Sequence, residues 1–457
     1  MSVVPRSLSV PLLGISNYFR SHVGSITWGP LVQISRSAVC SLFTGIEKGQ
    51  LLVTDVDGSV LQFGEKSQGD RQDAELFIRN EALWVRMLLF ADMGFAESYM
   101  LGEVDCPNLT TFFELFIDNR SQLSDATTLT SSIMSTVTSL ARSTNTMSNS
   151  RLNVSAHYDI SNEMFAAFLS DDMTYSCPVW SRKSSEKALT ESLEDAQLRK
   201  LHRFIFNAKI RGTDHVLEIG TGWGSLAIEA VRTTGCKVTS ATLSVEQKML
   251  AEKRINAAGL ADHIDVILCD YRALPTPKVL YDKVVSIEML EAVGREYLQT
   301  YFACVDRLLK PQGGIAVFQC ITMPESRYEA YSKGEDFIRK YIFPGGHLPT
   351  VSQLVESINK GSNGTLVIDR IENIGGHYAK TLRLWNQKFM QNFEARIRPA
   401  LLDEHPEMTY RDADLFRRKW EYYFMYCQAG FSTKTLGDVI ITAGREGATD
   451  MLEDIPM

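Results

Sequence analysis

The sequence predicts an α/β fold in which a parallel sheet carries helices on both faces. Short apolar segments alternate with amphipathic helical segments between residues 215 and 321, and this alternation is typical of a parallel sheet. Strands are expected at 216–219, 237–244, 264–268, 283–288 and 315–321, with late strands at 366–371 and 439–443. A glycine-rich turn follows the first of these strands, and a small α+β module is expected ahead of them. An amphipathic helix is expected at 185–209, before the glycine-rich turn, and a helical insert is expected at 337–358, before the late strands.

Length and composition indicate a soluble globular chain of two or three domains. The chain has 457 residues and a mass of 51.3 kDa, with 44% hydrophobic and 22% charged residues. Its net charge of -8 and pI near 5.6 argue against nucleic acid as the main partner. No apolar stretch approaches the roughly 18 residues of a membrane span. The 8 cysteines are scattered without metal-ligand spacing, which indicates a reduced, cytoplasmic compartment and no metal site.

Residues 1–46 form an unusual N-terminal segment. They contain Arg6, Arg20 and Arg36, many serines and no acidic residue before Glu47. Such a composition is typical of a mitochondrial transit segment, and it also suits a basic segment that rests on an anionic membrane surface. A frayed terminus followed by an ordinary helix at 31–43 is the third interpretation. All three remain open at this point.

The predicted α+β module spans residues 47–120. Segments 51–54 and 60–63 flank the turn residues Asp57 and Gly58, which is a hairpin signal. A strand at 74–78 and helices at 83–93 and 109–120 complete the module. Residues 121–150 are about half Ser or Thr, so we expect a flexible linker with the domain boundary inside it and at most a weak helix at 131–141.

The glycine-rich turn decides which ligand is expected. Glu218 is followed by Gly220, Gly222 and Gly224 at alternate positions, and a helix begins at Ser225. Glycines allow the backbone to approach a ligand closely, and the helix N-terminus offers free N–H groups. The spacing differs from the Gly-x-Gly-x-x-Gly of dinucleotide-binding folds. It resembles motif I of the S-adenosylmethionine (SAM) methyltransferases, although a glycine-rich turn in an unrelated α/β fold is the alternative.

Further segments extend this resemblance over residues 151–445. They are His157-Tyr158-Asp159, Met173-Thr174-Tyr175-Ser176-Cys177, residues 242–247, Glu288-Met289-Leu290-Glu291-Ala292-Val293-Gly294, residues 337–346 and residues 377–382. With them the chain resembles the cyclopropane-fatty-acyl-phospholipid synthase family, which includes the mycolic acid cyclopropane synthases. The resemblance implies a Rossmann-like class I SAM methyltransferase domain at 151–457, with a helical lipid-side insert near 325–360.

The resemblance also implies how SAM is held. Glu218 and the three glycines would meet the methionine end, while Tyr175 and Ser176 would close over the cofactor. No acid follows the second strand to bind the ribose, so the loop there takes that role. The loop residues are Thr242, Leu243, Ser244 and Gln247, and Asp270 with Tyr271 would hold the adenine.

For catalysis the resemblance implies methyl transfer to the cis double bond of an unsaturated phospholipid acyl chain, giving a cyclopropane. An alkene is a poor nucleophile, so alignment and stabilisation of the carbocation must provide the rate. The family's bound bicarbonate, which takes the proton, would have Cys177, Glu291, Tyr378 and Cys427 as ligands. Gln319 stands where many family members have His, and an amide can bind an anion but cannot shuttle a proton. A methylene or methyl branch therefore remains an alternative product.

Other interpretations of the same residues stay open. Glu291 could complement a helix dipole, the two cysteines could be inert buried thiols, and Tyr378 could serve the core through its hydroxyl. A methyltransferase acting on a soluble lipid-like molecule and a non-catalytic lipid-binding protein are the rival functions. For the leading function we expect peripheral contact with a membrane surface, and a homodimer is an open alternative.

Overall fold

The computed structural model describes residues 24–66, 73–126, 161–182, 184–185 and 190–453. The chain forms two compact units, Met1–Leu152 and Asn153–Met457. The weak helix predicted at 131–141 and the segment His157-Tyr158-Asp159 lie outside the described residues. Within the described residues, no helix is long and apolar enough to cross a membrane.

The first unit is built on a four-stranded sheet of order β2-β1-β3-β4. The hairpin pairs β1 and β2 antiparallel, β3 lies parallel to β1, and β4 lies antiparallel to β3. Gly58 has the positive φ of 84° that the hairpin turn requires. The strands are β1 Gln50–Thr54, β2 Val60–Gly64, β3 Ala74–Ile78 and β4 Val104–Asp105. Strand β4 was not predicted, because two residues are too short to show a period.

In the described part of this unit the helices are α1 Gly24–Phe43, α2 Ala82–Met100, α3 Leu109–Asp118 and α4 Arg120–Ala126. Helix α2 continues past the predicted end at residue 93, with a kink at Ala91, where φ is 48° and ψ is -121°. Gly94 lies against the chain before the kink, since a Cβ there would be 2.1 Å from the carbonyl oxygen of Arg86. Helix α4 occupies the start of the segment that was predicted to be a linker.

The second unit contains a seven-stranded sheet of order β10-β11-β9-β8-β5-β6-β7. Strands β5 to β9 pair with one another in parallel, whereas β11 runs antiparallel between β9 and β10. This sheet, flanked by helices, confirms the predicted α/β fold. The strands are β5 His215–Ile219, β6 Lys237–Thr242, β7 Ile264–Leu268, β8 Lys283–Ile287, β9 Ile315–Thr322, β10 Val367–Asn373 and β11 Gly437–Gly444.

The centre of this sheet is almost wholly buried. Every residue of β11 and nearly every residue of β8 and β9 is buried, as expected for strands covered on both faces. The flanking helices are α5 Asn162–Phe168, α6 Leu193–Asn207, α7 Ser225–Thr234, α8 Val245–Ala257, α9 Leu298–Leu308, α10 Glu325–Lys333, α11 Phe337–Tyr341, α12 Val351–Gly361, α13 Gly376–Asn392, α14 Arg398–Glu404 and α15 Tyr410–Ser432.

Two helix predictions need correction. The helix expected from residue 185 begins at Leu193, because Ser192 and Asp195 form a capping box that fixes the first turn. The single helix expected at 337–358 is two helices, α11 and α12. The chain between them contains Pro344 and Pro349, and proline interrupts a helix. Thr350 then caps α12.

Two adjacent glycines at the start of α13 test how tightly this part of the sheet is packed. A Cβ at Gly375 would lie 2.8 Å from the amide nitrogen of Asp438, whereas a Cβ at Gly376 would meet nothing within 4 Å. We expect Gly375→Ala to lower the free energy of unfolding by about 1–3 kcal/mol, because backbone must move. Gly376→Ala should be neutral or stabilise by up to about 1 kcal/mol. Unfolding by denaturant measures the free energy of unfolding of both variants. Equal stabilities would contradict the close contact between Gly375 and the backbone of Asp438.

Candidate active site

The turn after β5 has the geometry of a ligand-binding loop. The φ angles of Gly220, Gly222 and Gly224 are 102°, 51° and 85°, a region that favours glycine. The amide of Gly220 donates to the carbonyl of Ala241 over 2.9 Å, which fixes the turn against β6. A Cβ added at Gly222 would meet no atom within 4 Å, so the backbone there faces open space. A ligand can therefore reach this backbone and the N-terminus of α7.

Glu218 lies beneath this turn, at the end of β5. Its Oε2 lies 2.5 Å from the hydroxyl of Ser240, which in turn lies 2.7 Å from the hydroxyl of Thr221. Burial raises the pKa of Glu218 to about 8. A cationic ligand group nearby would favour the ionised carboxylate. The environment of Glu218 therefore fits the positively charged methionine end of SAM.

The loop after β6 is preorganised by its own hydrogen bonds. Thr242 donates to the amide oxygen of Gln247 over 2.9 Å, and Ser244 caps α8 by accepting from the backbone N–H of Gln247. Since the amide oxygen of Gln247 is engaged, its NH₂ group is the part left to serve a ligand. Leu243 is 70% exposed beside it and offers an apolar surface. The set fits a ribose and an adenine face.

Asp270 follows β7 and is held by a neighbour. Both of its carboxylate oxygens accept from Arg272, over 2.9 Å and 2.6 Å. The Arg272 guanidinium holds the pKa of Asp270 low, at about 2. Asp270 is therefore ionised and oriented. Its Oδ1 also accepts from the backbone N–H of Arg272 over 2.9 Å, so Oδ2 is the oxygen that keeps a lone pair for an amine donor. Tyr271 packs edge-on against Tyr301, with ring centroids 5.0 Å apart.

A carboxylate that the sequence analysis did not assign lies at the centre of the predicted catalytic residues. Glu288 comes directly after β8, and its Oε1 accepts from the backbone N–H of Cys177 over 2.7 Å and from the amide of Gln319 over 2.8 Å. Its Oε2 accepts from the hydroxyl of Tyr378 over 2.6 Å. Three residues predicted to bind bicarbonate or to face it thus donate to Glu288.

Glu288 is strained as well as buried. Its φ is 48°, which costs a non-glycine residue about 1 kcal/mol or more. Burial raises its pKa, although the hydrogen bonds from Cys177 and Tyr378 act in the opposite direction. The backbone is held in place, since the N–H of Glu288 donates to the carbonyl of Gln319 over 2.9 Å. Strain and a buried acid at one residue are typical of a functional site.

Glu291 lies nearby with a different partner. It belongs to a short 3-10 turn, Leu290–Ala292, and its Oε1 accepts from the backbone N–H of Ile321 over 2.5 Å. Burial and the neighbouring Glu288 raise the pKa of Glu291 to about 8. Its Oε2 has no hydrogen-bond partner in the described part of the chain. Glu291 therefore lies in the candidate site, but the donors on Cys177, Gln319 and Tyr378 bind Glu288 and not Glu291.

The segment 173–182 supplies the residues predicted to close over the cofactor. The hydroxyl of Tyr175 lies 2.9 Å from that of Tyr423, and Ser176 accepts from the buried ammonium of Lys200 over 2.8 Å. Cys177 is fully buried, and burial raises the pKa of its thiol, so the thiol stays neutral. What Cys177 contributes to Glu288 is its backbone N–H.

Cys427 occupies a different place from the other three predicted bicarbonate ligands. It lies on α15, and burial raises the pKa of its thiol. It adds to the high pKa of both Tyr175 and Tyr423, which places it beside that tyrosine pair. Cys427 is not one of the donors to Glu288.

Aromatic rings line the surroundings of Glu288. Trp385 lies between Tyr175 and Tyr378, with centroid distances of 5.1 Å and 5.9 Å, and Tyr378 stacks on Phe431 at 4.6 Å. Ring faces attract cations, and the attraction grows where water is excluded. A carboxylate beside such rings can stabilise a carbocation and accept a proton from it.

Asp438, the first residue after Gly437 in β11, was also missed. It is fully buried, and its Oδ2 accepts from the amide of Gln319 over 2.8 Å. Because β11 is antiparallel to β9, its start lies at the edge where β8 ends. The predicted strand begins at residue 439, so Asp438 lies outside the predicted range. The available signal was an acid at the boundary of an apolar strand.

Comparison with known proteins agrees with this geometry. The family described as "Mycolic acid cyclopropane synthetase" matches residues 145–440. The chain belongs to this family. It is 38% identical over 381 residues to tuberculostearic acid methyltransferase UfaA1 of Mycobacterium tuberculosis, covering 83% of this chain and 85% of that protein. It is 31% identical over 379 residues to cyclopropane-fatty-acyl-phospholipid synthase of Escherichia coli K12, covering 82% and 89%.

A solved structure extends the comparison. The structure of mycolic acid cyclopropane synthase CmaA1 complexed with SAH and CTAB has a TM-score of 0.53 and 25% identity, covering 65% of this chain and 98% of that one. This family member is therefore a SAM-dependent methyltransferase of the lipid-modifying kind, as predicted.

Two glycines at opposite ends of α7 separate ligand contact from backbone strain. Gly222 and Gly235 both have a positive φ, and a Cβ on either would meet nothing within 4 Å. Alanine at each should destabilise the fold by about 1–2 kcal/mol. Only Gly222→Ala should weaken SAM binding, by about tenfold or more, because only its Cβ would project into the ligand. Titration calorimetry with SAM decides the matter, and equal affinities of the two variants would contradict this placement.

Proposed function

We propose that this family member transfers a methyl group from SAM to the cis double bond of an unsaturated phospholipid acyl chain, and that Glu288 takes the proton released afterwards. One observation carries the proposal. The groups that the family resemblance assigns to the bicarbonate region, on Cys177, Gln319 and Tyr378, all donate to the Glu288 carboxylate. A carboxylate offers the same acceptor oxygens as bicarbonate, so Glu288 replaces the bound anion.

The chemistry then follows from the residues present. SAM supplies the electrophilic methyl group when bound. The π electrons of the lipid form the new C–C bond, and a carbocation remains on the other alkene carbon. Trp385 and the neighbouring tyrosine rings stabilise this charge. Glu288 removes a proton from the transferred methyl group. If the cation stays on the other alkene carbon, the freed electron pair closes a three-membered ring. If a hydride first moves from the methylated carbon to that cation, the positive charge lies on the methylated carbon, and the same proton loss forms a methylene double bond.

Glu288 serves either product, because the proton leaves the same carbon in both. The relative with 38% identity is named a methyltransferase, which supports a branched chain as one candidate product. The relative with 31% identity is named a cyclopropane synthase, which supports a ring as the second candidate. Reduction to a methyl branch would need a separate reductant.

The proposal also requires access to acyl chains in a bilayer. Phe343, just after α11, is 42% exposed, and its ring lies 6.5 Å from that of Tyr175 in the site. The basic residue Lys340 lies near the end of α11, three residues before Phe343. An exposed aromatic residue with a basic neighbour supports peripheral contact with a membrane surface. We propose that acyl chains enter along this side.

Mass spectrometry of phospholipids tests the activity. Cells expressing the protein are grown with methyl-labelled methionine, and acyl chains are analysed before and after hydrogenation. We expect a labelled gain of one CH₂ on monounsaturated chains. A methylene branch is changed by hydrogenation, whereas a cyclopropane resists mild hydrogenation. Unlabelled lipids, in cells whose purified protein binds SAM, would contradict a phospholipid substrate.

Substitution of Glu288 tests the base. Glu288→Gln keeps the shape but cannot accept the proton, so product formation should fall by about 100-fold or more. Glu288→Gly relieves the strain of the positive φ and leaves three donors for a small anion. We expect added bicarbonate or formate to restore part of its activity. Labelled methyl transfer into vesicles with monounsaturated phospholipids provides the measurement.

Two controls accompany this test. Bicarbonate should not rescue Glu288→Gln, because the amide still fills the place, and it should not stimulate the unsubstituted enzyme. Stimulation of the unsubstituted enzyme by bicarbonate, or an active Glu288→Gln variant, would exclude Glu288 as the base while leaving the lipid activity standing.

A further inference from the structure

We infer that Asp438 is a positioning residue: a neutral carboxylic acid that, together with Gln319, keeps the Glu288 carboxyl group ionised. This inference rests on the proposed function, in which Glu288 is the base. Asp438 accepts from the Gln319 amide and interacts electrostatically with Glu288, and it takes no part in the bond changes of the lipid.

The geometry centres on the Gln319 amide. Its NH₂ group has two hydrogens, and it lies 2.8 Å from Glu288 Oε1 and 2.8 Å from Asp438 Oδ2. The carbonyl of Cys177 is a more distant acceptor at 3.3 Å. Turning the amide over would set its oxygen against the ionised Glu288 carboxylate and would remove the donor from both acids. Glu288 therefore fixes which way Gln319 faces.

Two buried carboxyl groups that share one donor do not both ionise readily. In the described part of the chain, Glu288 accepts from N–H and O–H groups on Cys177, Gln319 and Tyr378. Asp438 accepts from the amide N–H of Gln319 and interacts with the thiol of Cys177, which is a weak donor. Asp438 Oδ1 has no donor within the described residues, as expected of the oxygen that carries the proton. Burial and then Glu288 raise the pKa of Asp438 well above its usual range. From these hydrogen bonds we infer that Glu288 is the ionised carboxylate and that Asp438 is the protonated carboxylic acid.

The other groups facing Asp438 do not reverse this assignment. Burial raises the pKa of both nearby thiols and of Tyr378, which keeps these groups neutral, and it also raises the pKa of Glu291. Lys200 is the buried cation whose charge acts on both acids, and it lowers the pKa of Glu288. The titratable groups concerned are Glu288, Glu291, Cys177, Cys320, Tyr378 and Lys200.

The consequence concerns the pH range of catalysis. A hydrogen bond from the Asp438 carboxyl group lowers the pKa of Glu288. Without it, Glu288 would be protonated up to a higher pH and would fail as a base at neutral pH. Asp438 therefore extends the range of activity toward lower pH.

Infrared spectroscopy tests the protonation of Asp438 directly. The spectrum of the unsubstituted protein minus that of Asp438→Asn should show, at neutral pH, the C=O band of a protonated carboxyl group. Absence of that band would overturn the inference. This measurement does not depend on turnover. Unlabelled lipids in every variant would therefore reject the proposed function while the infrared band still decides the state of Asp438.

Activity against pH tests the effect on Glu288. In Asp438→Asn the side-chain amide can replace the carboxyl group both as acceptor and as donor. We therefore expect kcat/KM to stay within about tenfold of the value for the unsubstituted enzyme, and the acidic limb of the plot of kcat/KM against pH to stay where it is. In Asp438→Ala the donor is lost, so activity at pH 7 should fall by about tenfold or more and recover in part at higher pH. SAM affinity should be unchanged in both.

A purely structural role for Asp438 would give a different pattern. Both variants would then lose activity with an unmoved acidic limb, and that result would overturn the inference. If Asp438→Ala does not fold, Asp438→Asn and the infrared band decide, because the asparagine variant keeps the size and the hydrogen bond to Gln319.

Discussion

The catalytic unit depends on the hydrogen bonds to one buried carboxyl group. The donors to Glu288 come from Cys177, Gln319 and Tyr378, which are 111, 31 and 90 residues away in the chain. An ionised carboxylate in an apolar interior costs several kcal/mol unless such partners satisfy it. A loop, strand β9 and the first turn of α13 must therefore meet around Glu288. The site is complete only when this whole unit is folded.

Glu288 provides the carboxylate of this site from the protein chain and not from a bound anion. Glu288 stands in a backbone conformation that glycine would adopt at lower cost, with φ at 48°. The strain persists because three donors, and the backbone bond to Gln319, hold the residue in place. In the proposed mechanism the base is Glu288, which is part of the chain. Unlike a bound anion, it need not be captured from solution for each turnover, so no association entropy is lost.

Local patterns in the sequence were sufficient for the parallel strands and for the glycine-rich turn. The alternation of strands and helices predicted five parallel strands, and the spacing of Gly220, Gly222 and Gly224 predicted a turn in which each glycine has a positive φ. The direction of β11 was not predictable, because antiparallel pairing depends on where the returning chain packs. Asp438 therefore reaches Gln319, 119 residues away, through a strand pairing that the local sequence does not show. The role of Cys177 is carried by a backbone N–H, which any residue but proline provides.

The distribution of protons among the buried acids also bears on selectivity. Glu288, Glu291 and Asp438 lie close together, and burial raises the pKa of each. Ionisation of one of them supplies the negative potential that a carbocation needs, whereas three charges would destabilise the fold. A free carboxylate could also attack the cation and form an ester. The donors on Cys177 and Tyr378 occupy its lone pairs and hold its position, so proton removal is favoured over bond formation to carbon.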